Sequence, residues 1–241
     1  MKPTSALITG SAIRLGKHIA FALAEQGINI AVHYNSSRDE AEQTASELKF
    51  LGVKVALIQA NLSDPVAASR ELFQQANKQL GPVDLLINSA AIFNASHLHD
   101  LTEENFDSHL AINLKAPTFL SQEFQRQLPP QLHGHIINLL DWRARRSDPN
   151  YLAYSLSKAA LWSMTEILAL DLAPKIRVNA LSLGPMLAPE PKPADYEQRI
   201  RENVPLQTPG SPEDVTKAIL FLINSPYITG TILPITGGEH L

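Results

Sequence analysis

Tyr154 and Lys158 stand four residues apart in Tyr154-Ser155-Leu156-Ser157-Lys158, and Asp141 precedes the tyrosine by thirteen residues. On a helix, that four-residue spacing puts both side chains on one face. A lysine beside a phenol favours the phenolate, because the positive charge stabilises the anion. A phenol normally titrates near about 10, and lowering it toward the working pH makes it a usable proton donor or acceptor. The alternative for the pair alone is a surface tyrosine and lysine on an amphipathic helix. A third feature argues against that alternative. The turn Thr9-Gly10-Ser11-Ala12-Ile13-Arg14-Leu15-Gly16 directly follows the first apolar run. Gly10 and Gly16 allow a sharp turn and close backbone approach, and a helix N-terminus at that point suits a pyrophosphate.

The rest of the chain must supply elements that bring these groups together. Apolar runs at 5–9, 28–34, 53–59, 83–88, 135–140, 176–181 and 231–235 read as strands. Helical patterns fill the intervals between them. Strand–helix alternation from end to end predicts one α/β domain over residues 1–241, a Rossmann-type doubly wound parallel sheet of about seven strands with helices on both faces. Ser37-Arg38-Asp39-Glu40 reads as a capping box, and Asp64-Pro65 and Ser211-Pro212 as helix starts. A long helix is expected from about Glu103 to Leu128, kinked by Pro117. The proline-rich stretch 185–193 reads as a substrate loop, and with the helix after it spans roughly 184–203.

Composition narrows the class. Hydrophobic residues make up 44% of the 241, enough for a large core. The formal charge of −4 argues against a nucleic-acid partner. Cysteine is absent, which removes disulfides, thiol nucleophiles and thiolate metal sites. No apolar stretch approaches the roughly 20 residues of a membrane span, and no signal-peptide region is apparent, so the expectation is a cytoplasmic chain away from membranes. His97, His99 and His109 make no metal pattern, and no metal is expected. His133 and His135, two apart, are expected on one strand face in a structural role.

In a doubly wound sheet the ligand lies at the carboxyl ends of the strands. The end of the second strand distinguishes NAD from NADP, since an NAD site places an acid there. Here the chain reads His33-Tyr34-Asn35-Ser36-Ser37-Arg38, with no acid before Asp39. Asn35 and Ser36 offer hydrogen bonds to a 2′-phosphate, and Arg14, His33 or Arg38 offer charge, so NADPH is the expected cofactor. Asn61-Leu62 after the third strand is expected to flank the adenine, with a loop cap as the alternative for Asn61. Asn88-Ser89-Ala90 has small residues where a ribose could approach. Pro117 would free a backbone carbonyl near Asn113, making Asn113 a relay candidate.

Together these residues resemble the short-chain dehydrogenase/reductase family over essentially the whole chain. The correspondence runs through Thr9-Gly10 to Gly16, Asn88 to Ala91, Asn113, Tyr154-x-x-x-Lys158 and Arg177-Val178-Asn179-Ala180. The resemblance implies a Rossmann-fold reductase, commonly tetrameric. In it Tyr154 is the proton donor, Lys158 lowers its pKa and binds the nicotinamide ribose, and Asn113 supports a proton relay. Gly184 belongs to the cofactor side of the same pattern.

The departures from the family are as telling. Most members have glycine where Arg14 stands and serine where Asp141 stands. With His33-Tyr34 and Phe93, those changes resemble the pteridine reductase branch, which includes the dihydromonapterin reductases. A carboxylate would repel the oxyanion that develops on a ketone, whose stabilisation needs donors. It is better suited to relaying a proton to a ring nitrogen. The expected activity is therefore NADPH-dependent reduction of a dihydropterin to the tetrahydro form. Arg14, Phe93, Asp141, Tyr154 and Met186 would line the substrate, with Phe93 stacked on the flat ring. Three of these have a plainer alternative: a loop cap for Asp141, core for Phe93, solvent for Arg14. Trp142 with Arg143, Arg145 and Arg146 could contact an anionic substrate tail, but the run is expected to be a solvated loop. Two rival functions stand beside this one, a ketone or aldehyde reductase of the same family and an idle NADPH-binding sensor.

Overall fold

Each strand is short, apolar on both faces and followed by a turn into a helix, the pattern of a sheet buried from both sides. In the computed structural model, residues 2–146, 148–188 and 191–241 are described. The strands are β1 Ser5–Ile8, β2 Asn29–Tyr34, β3 Val55–Gln59, β4 Leu85–Asn88, β5 Gly134–Asp141, β6 Ile176–Leu183 and β7 Ile232–Ile235. The helices are α1 Arg14–Ala24, α2 Arg38–Lys49, α3 Pro65–Leu80, α4 Glu103–Leu110, α5 Ala116–Gln127, α6 Leu152–Asp171, α7 Tyr196–Asn203 and α8 Pro212–Asn224. All seven strands pair in parallel in the order β3-β2-β1-β4-β5-β6-β7. The sequence expectation of a doubly wound parallel sheet is met.

Alternate residues of each strand feed the two cores. Leu7, Leu86, Ile136 and Val178 pack on one side with Leu72 and Phe73 of α3 and Leu120 and Phe124 of α5. Ile8, Ile87, Ile137 and Leu181 pack on the other with Ile19 and Leu23 of α1 and Ile219 and Leu222 of α8. The reversal of strand order falls between β1 and β4, and the cleft at the carboxyl ends of these strands is the expected ligand position.

Local signals mostly act as expected. Asp64 caps α3 through the Ala67 N–H, and Gly81 ends it at φ +82°. Ser211 and Asp214 form a reciprocal capping box at α8. Three expectations change. Ser37 makes no side-chain cap to α2, so the box expected at Ser37–Glu40 is not closed. The single kinked helix is instead α4, a π-helical turn at Ala111–Lys115, and α5 with Pro117 in its first turn. Proline has no N–H to offer the carbonyl of Asn113, and the wider turn absorbs that lost bond. His133 lies before β5 and is not buried, so it does not share a strand face with the buried His135. The loop expected at 185–193 extends into residues 189 and 190, which lie outside those described. Within the described part, no helix is long and apolar enough to cross a membrane.

Candidate active site

β5 and β6 run further than their apolar patterns suggest. Asp141 is the last residue of β5 and is in register with Leu183 at the end of β6. That brings Asp141 to the carboxyl edge of the sheet, beside α6. The Tyr154 hydroxyl donates to Asp141 Oδ2 at 3.2 Å. Asp141 Oδ1 accepts the Arg143 N–H at 2.9 Å, so the residue also caps the short 3₁₀ turn Trp142–Ala144. One oxygen thus faces the phenol while the other makes the loop cap.

Lys158 is buried, and its ammonium donates to the Leu139 carbonyl at 2.8 Å. It lies 5.7 Å from the centre of the Tyr154 ring. Burial pulls its pKa down to about 8. The expected lowering of the phenol pKa does not hold in this arrangement. Burial first, and Asp141 second, push Tyr154 well above the ordinary phenol range. The consequence is a phenol that keeps its proton near neutrality, which suits a donor in a reduction.

Asn113, in the π-helical turn, is fully buried. Its side chain accepts from the Ile92 N–H at 2.9 Å and donates to the Ile92 carbonyl at 3.0 Å and to Ser157 Oγ at 3.1 Å. It thus ties the segment after β4 to α6. π turns inside α-helices often mark functional sites.

The glycine turn fits a diphosphate group. Gly10 has φ +66°, and a Cβ there would meet Ala90 Cα at 3.1 Å. A Cβ on Gly16 would sit 2.2 Å from the Gly10 carbonyl oxygen, so nothing larger fits. α1 begins without a side-chain cap and with no acid in its first turn, leaving its N–H groups to an anion. Ser89 N and Ala90 N both donate to Thr9 Oγ1, which holds β4's end against the turn. Asn88 donates to Asn138 at 2.8 Å, while its own Oδ1 is buried without a partner among the described residues. Arg14 adopts φ +50°, a left-handed conformation that favours glycine, and its exposed guanidinium reaches the Ala188 carbonyl at 3.4 Å. Asn35 and Ser36 lie beyond the end of β2, and Arg38 pairs with Glu42 at 2.8 Å on the surface. A cofactor of nicotinamide dinucleotide shape fits these residues.

One expected contact does not survive, and several other expected residues have structural partners. His33 offers no charge to a phosphate: it is buried, and desolvation pulls its pKa down to about 4. Its Nδ1 accepts the Gly10 N–H at 3.0 Å, so its Nε2–H faces the Ala60 carbonyl at 3.1 Å. The residue braces the glycine turn instead. Tyr34 is buried with Ala12 and Ala41. Asn61 caps its own loop through the Ser63 N–H, and Leu62 is in the core. Leu15 packs partly on the core around α1. Met186 is buried too, its terminal methyl 2.5 Å from where a Gly210 Cβ would be, and it packs with the core around α1 and α8. A Cβ on Gly184 would press on Thr236 Cα at 2.9 Å.

Phe93 is 47% exposed, so it is not core. It stacks on Tyr151 at 4.3 Å and meets Tyr154 edge-on at 4.6 Å. The solvated loop expected at Trp142–Arg146 is corrected by Arg143. That side chain bridges Asp141 at 3.2 Å and Asp148 at 2.9 Å and lies over Trp142, Phe93 and Tyr151. Asp148, Tyr151 and Ser157 escape sequence reasoning, because no short-range spacing announces them. Beyond Arg143, a polar cavity of about 420 Å³ is lined by Arg146, Arg199, Glu202 and Glu239 among others. A cavity of about 600 Å³ opens at the opposite edge of the sheet, around Lys2, His133 and Arg177, away from Tyr154. No cluster of three or more candidate metal ligands occurs among the described residues.

His33 and His135 make acid stability predictable. Desolvation, with Arg177 adding to it, pulls His135 down to about 3. Below about pH 6.5 the unfolded chain gains a proton at each histidine, while the folded chain stays unprotonated until about pH 4 at His33. Both folded values are depressed, so stability is lost as pH falls. Between pH 6 and 4 these two groups alone should remove roughly 2 kcal/mol per pH unit. Urea unfolding across that range measures the slope, and His33→Gln should about halve the contribution.

Comparison with known proteins agrees with the geometry. A family model described as enoyl-(acyl carrier protein) reductase matches residues 10–240. The 3-oxoacyl-[acyl-carrier-protein] reductase FabG of Staphylococcus epidermidis is 33% identical over 244 residues, covering 98% of this chain and 99% of the relative. Among solved structures, FolM alternative dihydrofolate reductase 1 of Brucella canis, complexed with NADP, superposes with a TM-score of 0.92 at 35% identity, over 98% of this chain and 94% of the other. A blue fluorescent protein from a metagenomic library, in complex with NADPH, gives 0.90 at 33% identity, over 98% and 97%. The chain belongs to the short-chain dehydrogenase/reductase family. Within that family it is similar both to acyl-carrier-protein reductases and to FolM proteins, and it is an oxidoreductase.

Proposed function

We propose that the protein is an NADPH-dependent pteridine reductase that converts a dihydropterin, of the dihydrobiopterin or dihydromonapterin class, to the tetrahydro form. The observation that carries this reading is the Asp141 carboxylate accepting a hydrogen bond from the Tyr154 phenol at 3.2 Å. A carbonyl substrate would need a donor at that place, because its oxygen becomes an anion. A ring nitrogen needs a proton, and a phenol kept protonated by burial and a neighbouring carboxylate can give one. The similarity to Brucella FolM, an alternative dihydrofolate reductase, supports the same reading.

Gly10, Gly16, Ser89, Ala90 and the free first turn of α1 would hold the cofactor, with Asn35 and Ser36 at its 2′-phosphate. When bound, the reduced nicotinamide supplies the hydride. Tyr154 supplies the proton to the ring nitrogen. Lys158, fixed by the Leu139 carbonyl, stabilises the phenolate left behind. Asp141 orients the phenol and relays a proton taken from solvent back to the phenolate. Arg143, held by two carboxylates, fixes Asp141. Phe93 offers its exposed aromatic surface to the pterin ring, and Asn113 holds the segment that carries it. A homotetramer, as the family resemblance implies, is part of the proposal.

One assay tests the function: NADPH oxidation with 7,8-dihydropterins, with a panel of ketones including 3-oxoacyl thioesters, and with neither. Rapid turnover with dihydropterins only is expected. The FabG relatives favour the ketone reading, and brisk ketone reduction with no pterin turnover would establish it instead. Cofactor choice is tested by titration. Charge-assisted hydrogen bonds contribute about 1.5–3 kcal/mol each, so NADPH should bind roughly ten- to a hundredfold more tightly than NADH. Equal affinities would remove the 2′-phosphate site from the proposal.

A further inference from the structure

His109 has no part in the proton chemistry described above, yet it is completely buried directly behind the aromatic wall. Its ring meets the Tyr154 ring edge-on at 6.3 Å. Its Nε2 lies 3.3 Å from the Asn94 N–H, and its Nδ1 lies 2.7 Å from the Asn105 carbonyl oxygen. These partners settle the tautomer. A backbone N–H can only donate, so Nε2 accepts. A carbonyl can only accept, so Nδ1 carries the hydrogen. Asn94 directly follows Phe93. On the other side of Phe93, Ile92 is held at both its N–H and its carbonyl by Asn113.

We propose that His109 is a positioning residue for substrate, which fixes the Phe93 ring by clamping the Asn94 backbone while Asn113 clamps Ile92. Phe93 is half exposed in the loop after β4, and stacking on Tyr151 alone leaves its backbone free to shift. The backbone on either side of it is fastened by one helical segment, α4 and the π turn that follows. The ring is thereby presented at a set angle, edge-on to the Tyr154 ring. A flat substrate would feel the loss of this clamp as weaker binding, not slower proton transfer. The inference rests on the pteridine reading only in naming the flat substrate.

Two near-isosteric substitutions separate positioning from simple packing. The amide nitrogen of Asn in His109→Asn can replace Nδ1 toward the Asn105 carbonyl but cannot reach Asn94. The amide oxygen of Gln in His109→Gln can replace Nε2 toward the Asn94 N–H. His109→Asn should raise KM for dihydropterin about five- to tenfold, the loss of one hydrogen bond, with kcat within twofold and NADPH affinity unchanged. His109→Gln should stay near the wild-type KM. Amide exchange at Asn94 should be faster in His109→Asn than in wild type or His109→Gln. Equal KM and equal Asn94 exchange in the two variants would overturn the proposal. If wild type turns over no dihydropterin, the functional reading falls, and Asn94 exchange still decides whether the clamp exists.

Discussion

Tyr154→Phe is expected to reduce dihydropterin turnover by about a hundred- to ten-thousandfold, the range for losing a positioned general acid. That corresponds to roughly 3 to 5 kcal/mol of transition-state stabilisation. The phenol oxygen donates its hydrogen to Asp141, and the ring makes the packing contacts with Phe93 and His109. Phenylalanine keeps the ring, so the wall and the fold should survive. NADPH binding should be nearly unchanged, because the glycine turn, the free N-terminus of α1 and Ser89-Ala90 are untouched. Steady-state kinetics with a parallel NADPH fluorescence titration separates the two effects. A loss of turnover that simply follows a loss of cofactor affinity would take Tyr154 out of the donor role.

Asp141→Ala should lower dihydropterin turnover by roughly ten- to a hundredfold, the cost of one charge-assisted hydrogen bond and of a disoriented phenol. The direction of the pH effect is also set. Asp141 raises the Tyr154 pKa, second only to burial. Removing the carboxylate lets the phenol titrate lower, so the basic limb of kcat/KM should move to lower pH. Arg143 keeps Asp148 at 2.9 Å, which limits the damage to the fold. Asp141→Ser should go further and restore a donor for a carbonyl oxygen, so ketone reduction should rise as pterin reduction falls. Normal pterin turnover in Asp141→Ala, with an unmoved basic limb, would exclude the acid from the mechanism.

Much of this site is legible in residue order alone. The Tyr154–Lys158 spacing, the glycines of the first turn, the cap at Asp64 and the missing acid after β2 are all local features. Each depends on neighbours within a few residues, through helix geometry, backbone φ or capping. Alternation of strand and helix is a similarly short-range pattern, and it is enough for a parallel doubly wound sheet. Asp141 stands out as chemistry because its residue type is out of place in a family pattern. Its cap of the turn after β5 is equally local, and the two roles are compatible because each uses a different oxygen.

What tertiary structure decided was the environment of each group. His33 looks like a phosphate ligand in the sequence, but burial makes it a neutral brace for Gly10. The Trp142–Arg146 run looks like a solvated loop, but Arg143 is locked between two carboxylates. The sign of the Tyr154 shift follows from the same cause. Lysine proximity argues for a lower pKa, yet desolvation and a carboxylate brought in from β5 raise it. Desolvation and cross-chain pairing are set by which distant segments meet, and residue order along the chain carries no direct record of that.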